Sequence, residues 1–110
     1  MGVTVVRYRT KADRADENAA YIEKVFAELL AEQPIGLRYM TFRLADGVTF
    51  VHVASVETAD GVNPLTTTAA FGEFQREVGD RCEEGPVAMA ATVVGSYGFP
   101  LTAGTDQAPS

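Results

Sequence analysis

The single histidine of the chain, His52, is the residue best suited to proton chemistry. An unperturbed imidazole has a pKa of about 6.5 and changes its protonation state near neutral pH. In a binding site it would act as a base, or as a hydrogen-bond acceptor, for the acidic hydroxyl of a bound ligand. The other interpretation is a structural histidine that hydrogen bonds to Thr41 or Tyr39, and the sequence leaves both open.

A β-hairpin is predicted around this histidine. Asp46-Gly47 separates two alternating runs, residues 37–45 and 48–56. Asp-Gly between such runs is typical of a two-residue type I′ turn, whose central residues both need positive φ. The predicted cross-strand pairs are Ala45 with Val48, Arg43 with Phe50, Thr41 with His52, and Tyr39 with Ala54.

The two faces of this hairpin differ in composition. One face combines polar and aromatic side chains, namely Tyr39, Thr41, Arg43, Phe50, His52 and Val56. The other face is apolar and is expected to be core, with Met40, Phe42, Leu44, Val51 and Val53. The mixed face is therefore the predicted ligand side, although the sequence does not decide which face lies under the helices.

Several side chains could bind a ligand beside His52. The forked donors of Arg43 could hold an anionic or enolate oxygen, or the guanidinium could instead pair with a carboxylate. Tyr39 and Phe50 could flank a planar ligand or simply pack across strands. Phe71 and Phe74 are predicted core residues that would line a pocket only as a by-product.

The elements around the hairpin follow from periodicity. Residues 3–10 are predicted to form a strand, and residues 16–33 an amphipathic helix that Asp13 or Asp16 could cap. A loop at 59–63 and a turn at Pro64 follow. A second helix is predicted to run through residues 71–82 and to end before Gly85-Pro86, ahead of a fourth strand at residues 90–97.

This order, β-α-β-β-α-β, predicts an α+β ferredoxin-like fold with a four-stranded antiparallel sheet. The predicted domain spans residues 1–99, and residues 100–110 are expected to be a mobile tail. Two helices cover only one face of such a sheet, whereas the strands offer apolar residues to both, as in Val5-Val6, Phe50-Val51 and Val93-Val94. We therefore predict a homodimer formed by sheet-to-sheet packing.

Composition narrows the functional classes. The formal charge of −6 argues against nucleic acid as a partner. No apolar run is long enough for a membrane span, and the N-terminus lacks the pattern of a signal peptide, so we expect a cytoplasmic protein without a membrane partner. A lone cysteine excludes an intrachain disulfide, and no metal-ligand spacing is present, so we predict no metal site.

Two stretches, VTVVRYRT at residues 3–10 and FVHVASVE at residues 50–57, together with the element order, carry a family resemblance. The chain resembles the dimeric α+β barrel superfamily that includes the antibiotic-biosynthesis-monooxygenase-like proteins. In its cofactor-independent oxygenases, a polar residue and a tryptophan four positions later line a cavity that holds a polycyclic phenol for reaction with oxygen. Those positions fall on His52 and Val56, and this chain has no tryptophan.

The resemblance also bears on cofactors. Haem-degrading relatives use a helical histidine as iron ligand, and the second predicted helix here contains none, so no cofactor is expected. Two hypotheses remain. The chain is a cofactor-independent, monooxygenase-like enzyme acting on a small planar phenolic or quinone-like molecule, or it is a non-catalytic dimeric module with a binding or structural role.

Overall fold

The computed structural model describes residues 2–99. Its main elements are β1 (Gly2–Thr10), α1 (Ala15–Glu32), β2 (Leu37–Arg43), β3 (Thr49–Val56), α2 (Ala69–Arg76), α3 (Val78–Arg81) and β4 (Cys82–Ala91). Short 3-10 turns precede α1 and α2, at Ala12–Arg14 and Pro64–Thr67. The predicted β-α-β-β-α-β order is confirmed, with α3 as one extra turn. The predicted tail from residue 100 lies outside the described residues.

The four strands form one antiparallel sheet in the order β2-β3-β1-β4. The central strands β1 and β3 pair from Gly2 with Val56 to Arg9 with Thr49. Helix α1 buries Ile22 and Val25 of its apolar stripe against the sheet, together with Phe74 of α2. This arrangement confirms the ferredoxin-like α+β fold.

Helix α1 differs from the prediction in its N-terminal cap, whereas its C-terminal end agrees with the prediction. Neither Asp13 nor Asp16 caps the N-terminus, where Arg14 occupies the cap position without a side-chain hydrogen bond. At the other end, Gln33, where the helix was predicted to end, is the C-cap residue and adopts the left-handed conformation with φ of 48°. Its backbone N–H donates to the Leu29 carbonyl, which satisfies one of the free carbonyls at the helix end.

The hairpin has the predicted register but not the predicted turn. The pairs Arg43 with Phe50 and Thr41 with His52 are present. Leu44 N–H donates to Thr49 O, and Gly47 N–H donates to Leu44 O, so four residues form the loop. Gly47 has φ of 79°, whereas Asp46 does not have positive φ. Lengthening the loop by one residue on each side leaves the pairing unchanged. The predicted register is therefore correct although the predicted turn type is wrong.

The second helix and the fourth strand are both present, but their predicted bounds were wrong. Helix α2 ends at Arg76, and the chain enters β4 at Cys82, which was predicted to lie in a helix. Residues 92–99, which include Val93 and Val94, lie beyond the strand. The cause is tertiary: the open edge of the central strand β1 pairs with β4 from Val3 to Thr10, and this ladder outweighs the local helical spacing.

Gly85-Pro86 does not stop a helix but forms a bulge inside β4. Arg7 pairs with Val87 and Arg9 pairs with Glu84, so two residues of β4 oppose Tyr8 alone. A bulge of this kind places one extra residue outside the regular ladder. The bulge therefore accommodates a proline that could not donate to a regular ladder.

The sheet presents two different faces. Alternation along the strands places Tyr8, Phe50 and His52 on the helix-covered face, where all three are buried. The opposite, open face is mainly apolar, with the exposed Arg7 between Val51 and Val87 on the central strand. Its apolar members are Phe42, Met40, Val51, Val53, Val5, Val87 and Met89. The apolar hairpin face was predicted to be core, yet no element among residues 2–99 covers it. Phe42, Val87 and Met89 are therefore exposed in the single chain.

Candidate functional site

His52 lies on β3 at the centre of the helix-covered face and is 5% exposed. Both of its ring nitrogens have hydrogen-bond partners. Tyr8 Oη of β1 lies 2.8 Å from Nε2, and Tyr39 Oη of β2 lies 2.5 Å from Nδ1. Thr41 Oγ1, directly across the ladder, lies 3.3 Å from Nδ1. The imidazole is thus held between two phenolic hydroxyls.

The hydrogen bonding continues from Tyr8 into the helices. Asn18 Nδ2 of α1 donates to Tyr8 Oη over 2.8 Å, and Arg81 Nε at the end of α3 donates to Asn18 Oδ1 over 3.0 Å. Asn18 and Arg81 are both completely buried. The residues Arg81, Asn18, Tyr8, His52 and Tyr39 therefore form one continuous network, which we call the buried polar chain.

Aromatic rings enclose the histidine. The rings of Tyr8, Phe74 and Tyr39 lie 5.3, 5.4 and 5.8 Å from the imidazole, centroid to centroid. Tyr39 also stacks on Phe26 at 5.0 Å. Such rings provide flat apolar surface but no solvent for a charged imidazole. These surroundings therefore favour the neutral imidazole and present flat surfaces to it.

Burial controls the protonation of this site. Loss of hydration lowers the pKa of His52 to about 4, so the imidazole is neutral at physiological pH. Burial also raises the pKa of Tyr39 to about 12, and it raises the pKa of Tyr8 above the usual value for a phenol. All three groups are thus uncharged near neutrality, and each can serve only through hydrogen bonds or transient proton transfer.

Arg81 carries the positive charge of the buried polar chain. Its Nη2 donates to the Phe74 carbonyl over 2.9 Å, and the guanidinium lies 4.5 Å from the Tyr21 ring centroid. Among residues 2–99 its Nη1 has no hydrogen-bond partner, and no carboxylate forms a salt bridge with it. The ring faces of Tyr21 and Phe74 and the oxygens of Asn18 and Phe74 therefore compensate for its lost hydration.

The predicted site residues divide into two groups. Tyr39 and Phe74 border the imidazole, and Phe50 stacks on Tyr8 with ring centroids 5.6 Å apart. Phe71 contacts Phe74 at 6.0 Å and so lies one ring further out. The structure thus brings the aromatic members together around His52.

Arg43 and Val56 do not border the imidazole, although the Arg43 guanidinium lies 5.7 Å from the Phe50 ring centroid. Arg43 Nη2 pairs with Asp16 at 3.0 Å, and its Nε donates to the Gly47 carbonyl near the hairpin tip. Val56 pairs with Leu37 at the far end of the hairpin, about 13 Å along β3 from His52. In the single chain neither side chain borders the imidazole.

Sequence reasoning missed Tyr8, Asn18 and Arg81. Asn18 carries a readable signal, because it shares a helix face with the buried Ile22 and Val25, where a polar residue needs a buried partner. Tyr8 follows the inward alternation of β1. No feature of the sequence indicated that Arg81 is buried. Its burial depends on the segment between α2 and β4, which the helical spacing predicted to be part of one continuous helix.

A cavity of about 160 Å³ lies elsewhere, at the end of the β2–β3 ladder, lined by Gly36, Leu37, Arg38, Ser55 and Glu57. Its lining does not include His52. Among residues 2–99, no cluster of three or more histidine, cysteine, aspartate or glutamate side chains is placed to hold a metal ion. Over the same residues no helix is both long and apolar enough to cross a bilayer.

No protein-family model and no curated protein sequence matches this chain. Solved structures do match it. Rv0793 from Mycobacterium tuberculosis superposes with a TM-score of 0.69 at 14% identity, over 86% of this chain and 96% of that one. A candidate antibiotic biosynthesis monooxygenase from Nitrosomonas europaea gives 0.71 at 20% identity, over 86% of this chain and 100% of that one.

A third similar structure is the N63A mutant of SnoaB, a cofactor-independent oxygenase from Streptomyces nogalater. It superposes with a TM-score of 0.63 at 16% identity, over 89% of this chain and 97% of that one. The chain thus has the fold of the antibiotic-biosynthesis-monooxygenase-like proteins, as the resemblance predicted. At these identities the likeness concerns the fold, and the chemistry must be argued from the site.

Proposed function

We propose that this protein is a cofactor-independent, monooxygenase-like enzyme that acts on a small planar phenolic or quinone-like molecule at His52. The observation that carries the proposal is the environment of the imidazole. A neutral ring, enclosed by aromatic surfaces, has both nitrogens directed at phenolic hydroxyls. A phenolic ligand would find the same partners that Tyr8 and Tyr39 find.

The ligand would approach from the side of Tyr39. The Nε2 side of His52 faces the buried Tyr8, whereas Tyr39 and Thr41 on the edge strand β2 are only half-buried. Rotation of the Tyr39 side chain would free Nδ1 for the oxygen of a ligand. Tyr39, Phe71 and Phe74 would then flank the ligand ring, with Phe50 supporting them through Tyr8. Arg43 and Val56 would contribute only if the ligand extends toward the ends of the hairpin.

The proposed reaction needs no cofactor because the substrate supplies the electrons. A phenol with an unsubstituted para carbon and O₂ yield a quinone and water. The para carbon gains one oxygen atom, and the other leaves as water with the hydroxyl and para hydrogens. A low-dielectric aromatic site that hydrogen bonds the phenolic oxygen would stabilise the charge that develops there.

We also propose that the protein functions as a homodimer through its open sheet face. That face exposes Phe42, Val87 and Met89 among its apolar side chains. A second copy of the same face would bury it, with a total interface above about 1,200 Å². The proposed dimer leaves the helix-covered face, and with it His52, inside each protomer.

A thermal-shift screen of phenols and quinones tests the proposed ligand class. A binding phenol should raise the melting temperature of the wild type more than that of His52→Asn, since the variant loses the ring and its second nitrogen. Met40→Leu, on the same hairpin but on the open face, is the matched control and should respond like wild type. Equal ligand-induced shifts in all three proteins would contradict a role for His52 in binding.

The second candidate is a non-catalytic dimeric module. It is favoured by the fact that both nitrogens of His52 already have partners within the chain. Oxygen consumption separates the two candidates. The enzyme should consume one O₂ per quinone formed from a bound phenol and lose that activity in His52→Asn, whereas a binding module should show the thermal shift without oxygen uptake.

A further inference from the structure

The direction of every hydrogen bond in the buried polar chain can be deduced from Arg81. A guanidinium only donates, so the oxygen of Asn18 must face Arg81 Nε. The amide nitrogen of Asn18 must then face Tyr8, and it donates to the tyrosine oxygen over 2.8 Å. The orientation of this amide, which is ambiguous for most asparagines, is thus set by its cationic neighbour.

The same reasoning extends from Tyr8 to the imidazole. Because Tyr8 Oη accepts from Asn18, its own hydrogen is available to His52 Nε2 at 2.8 Å. If Nε2 carried the proton instead, the buried Tyr8 hydroxyl would lack an acceptor among its contacts in the described part of the chain, at a cost of about 1–3 kcal/mol. Nε2 is therefore the acceptor, and the proton of the neutral ring lies on Nδ1.

We propose that Arg81 is a positioning residue that holds His52, through Asn18 and Tyr8, in the Nδ1–H tautomer, so that His52 offers a hydrogen-bond donor to a ligand with an acceptor oxygen. The ligand class is then a phenolate or a quinone carbonyl. The tautomer is independent of the proposed function, whereas the ligand class rests on it. His52 would act as a donor in place of the base or acceptor expected from the sequence.

The exposure of the two sides of the ring determines which nitrogen matters. Tyr8 and Asn18 enclose Nε2 within the core. Nδ1 faces Tyr39 and Thr41, which are half-buried on an edge strand. Only the Nδ1 side can be opened by moving one side chain, so the tautomer decides what a ligand meets.

The chain has one histidine, so long-range ¹H–¹⁵N spectra of uniformly labelled protein report the tautomer without ambiguity. At about pH 7 the wild type should show a protonated Nδ1 and an unprotonated Nε2. A protonated Nε2 in the wild type would overturn the proposal directly, without any variant.

The isosteric substitution Asn18→Asp should reverse the direction of the hydrogen bonds that Tyr8 makes with residue 18 and with His52. A carboxylate accepts from both Arg81 and Tyr8, so the Tyr8 oxygen must then accept from His52, and the proton moves to Nε2. Gln75→Glu, exposed on α2, adds the same charge away from the site and should leave the spectrum unchanged. An Nδ1–H tautomer retained in Asn18→Asp would overturn the relay.

Arg81→Met tests the first residue of the buried polar chain. Without the guanidinium the Asn18 amide is free to turn, and we expect the two imidazole nitrogens to give averaged, intermediate shifts. A pure Nδ1–H tautomer in this variant would remove Arg81 from the proposal. If the variant does not fold, the wild-type and Asn18→Asp spectra still decide the tautomer and the relay.

Ligand binding tests the chemical class. The probe is 4-nitrophenol, which is largely neutral at about pH 5.5 and largely ionised at about pH 8.5, a range in which His52 itself stays neutral. Wild type should bind the anion at least about tenfold more tightly than the neutral phenol, and Asn18→Asp should remove that preference. A wild-type preference for the neutral phenol would overturn the donor role. No binding of either form, with the expected spectra, would count against the proposed function while leaving the positioning role of Arg81 in place.

Discussion

The two faces of the sheet reverse the usual distribution of polarity. The helix-covered face buries a connected set of polar side chains, from Arg81 to Tyr39, whereas the open face leaves Phe42, Val87 and Met89 exposed. Burying polar groups is costly unless each is hydrogen bonded. Exposing several large apolar side chains on one face is also unusual in a protein that acts alone.

This difference indicates that the two faces have different roles. The covered face has a hydrogen-bonded polar network, complete except for Arg81 Nη1, and the shifted pKa values that are typical of a binding or catalytic site. The open face carries mainly apolar side chains around Arg7, a composition that is typical of an association surface. A substitution should therefore affect ligand chemistry on one face and assembly on the other, with little crossover.

The largest expected effect compares two phenylalanines of the hairpin. Phe50→Ala should lower the free energy of unfolding by about 3–5 kcal/mol, because the side chain is 1% exposed and stacks on Tyr8. Phe42→Ala, at 42% exposure on the open face, should cost less than about 1 kcal/mol in dilute monomer. Urea denaturation measures both. Equal losses would mean that the faces do not differ as described.

The next effect concerns pH and the covered face alone. The folded-state pKa of His52, about 4, lies below the unfolded value of about 6.5, so only the unfolded chain takes up a proton between these values. Stability should therefore fall by about 3 kcal/mol as pH drops from 6.5 to 4, on account of this residue.

His52→Asn is the control for that pH dependence. It should be less stable than wild type at pH 7, and the difference should shrink steadily as the pH falls toward 4. Unfolding free energies measured across this range would show it. Parallel curves for the two proteins would mean that the histidine is not held neutral by burial.

The third prediction concerns the open face alone. Met89→Glu places a charge in the exposed apolar surface and should raise the dimer dissociation constant at least about tenfold, since two copies would face each other. Sedimentation at micromolar concentration should show a dimeric wild type and Gln75→Glu control, and a smaller species for Met89→Glu. A wild type that sediments as an 11.8 kDa monomer would rule out the proposed assembly.

The smallest expected effect on stability concerns the hairpin tip, which joins β2 to β3. Hydrogen bonds from the Thr49 hydroxyl and from the backbone N–H groups of Val48 and Thr49 lower the pKa of Asp46 to about 2. Because the folded-state pKa is lowered, this contribution is present above about pH 4 and is lost as the pH falls through 2. Asp46→Asn should lower the melting temperature slightly at pH 7, and the difference from wild type should shrink as the pH falls through 2.

The fold could be predicted from the sequence wherever local pattern and tertiary pairing agree. The alternation of Tyr39, Thr41 and His52 correctly placed these residues on one face of the hairpin, because the register depends only on the symmetry of the loop, but it did not show that this face points inward. The segment after Arg76 failed, because helical spacing there competes with a ladder to β1 that lies more than 70 residues earlier in the sequence.

The site could be predicted only in part for the same reason. His52 and Tyr39 lie in one hairpin, and their proximity follows from local pairing. Arg81 and Tyr8 meet only after β4 has joined β1, so their connection through Asn18 depends on the complete fold. Local spacing identifies the centre of the site, and long-range topology supplies its outer partners.

The bulge at Gly85-Pro86 limits how this protein can aggregate. β4 pairs with β1 on one side only, so its other side is an edge of the four-stranded sheet. A proline and a local kink in such an edge interrupt the regular row of backbone donors that an incoming strand needs. Growth by strand addition into fibres is thereby discouraged at that edge. The proposed contact between open faces, by contrast, would close on itself with a twofold axis and end at two copies.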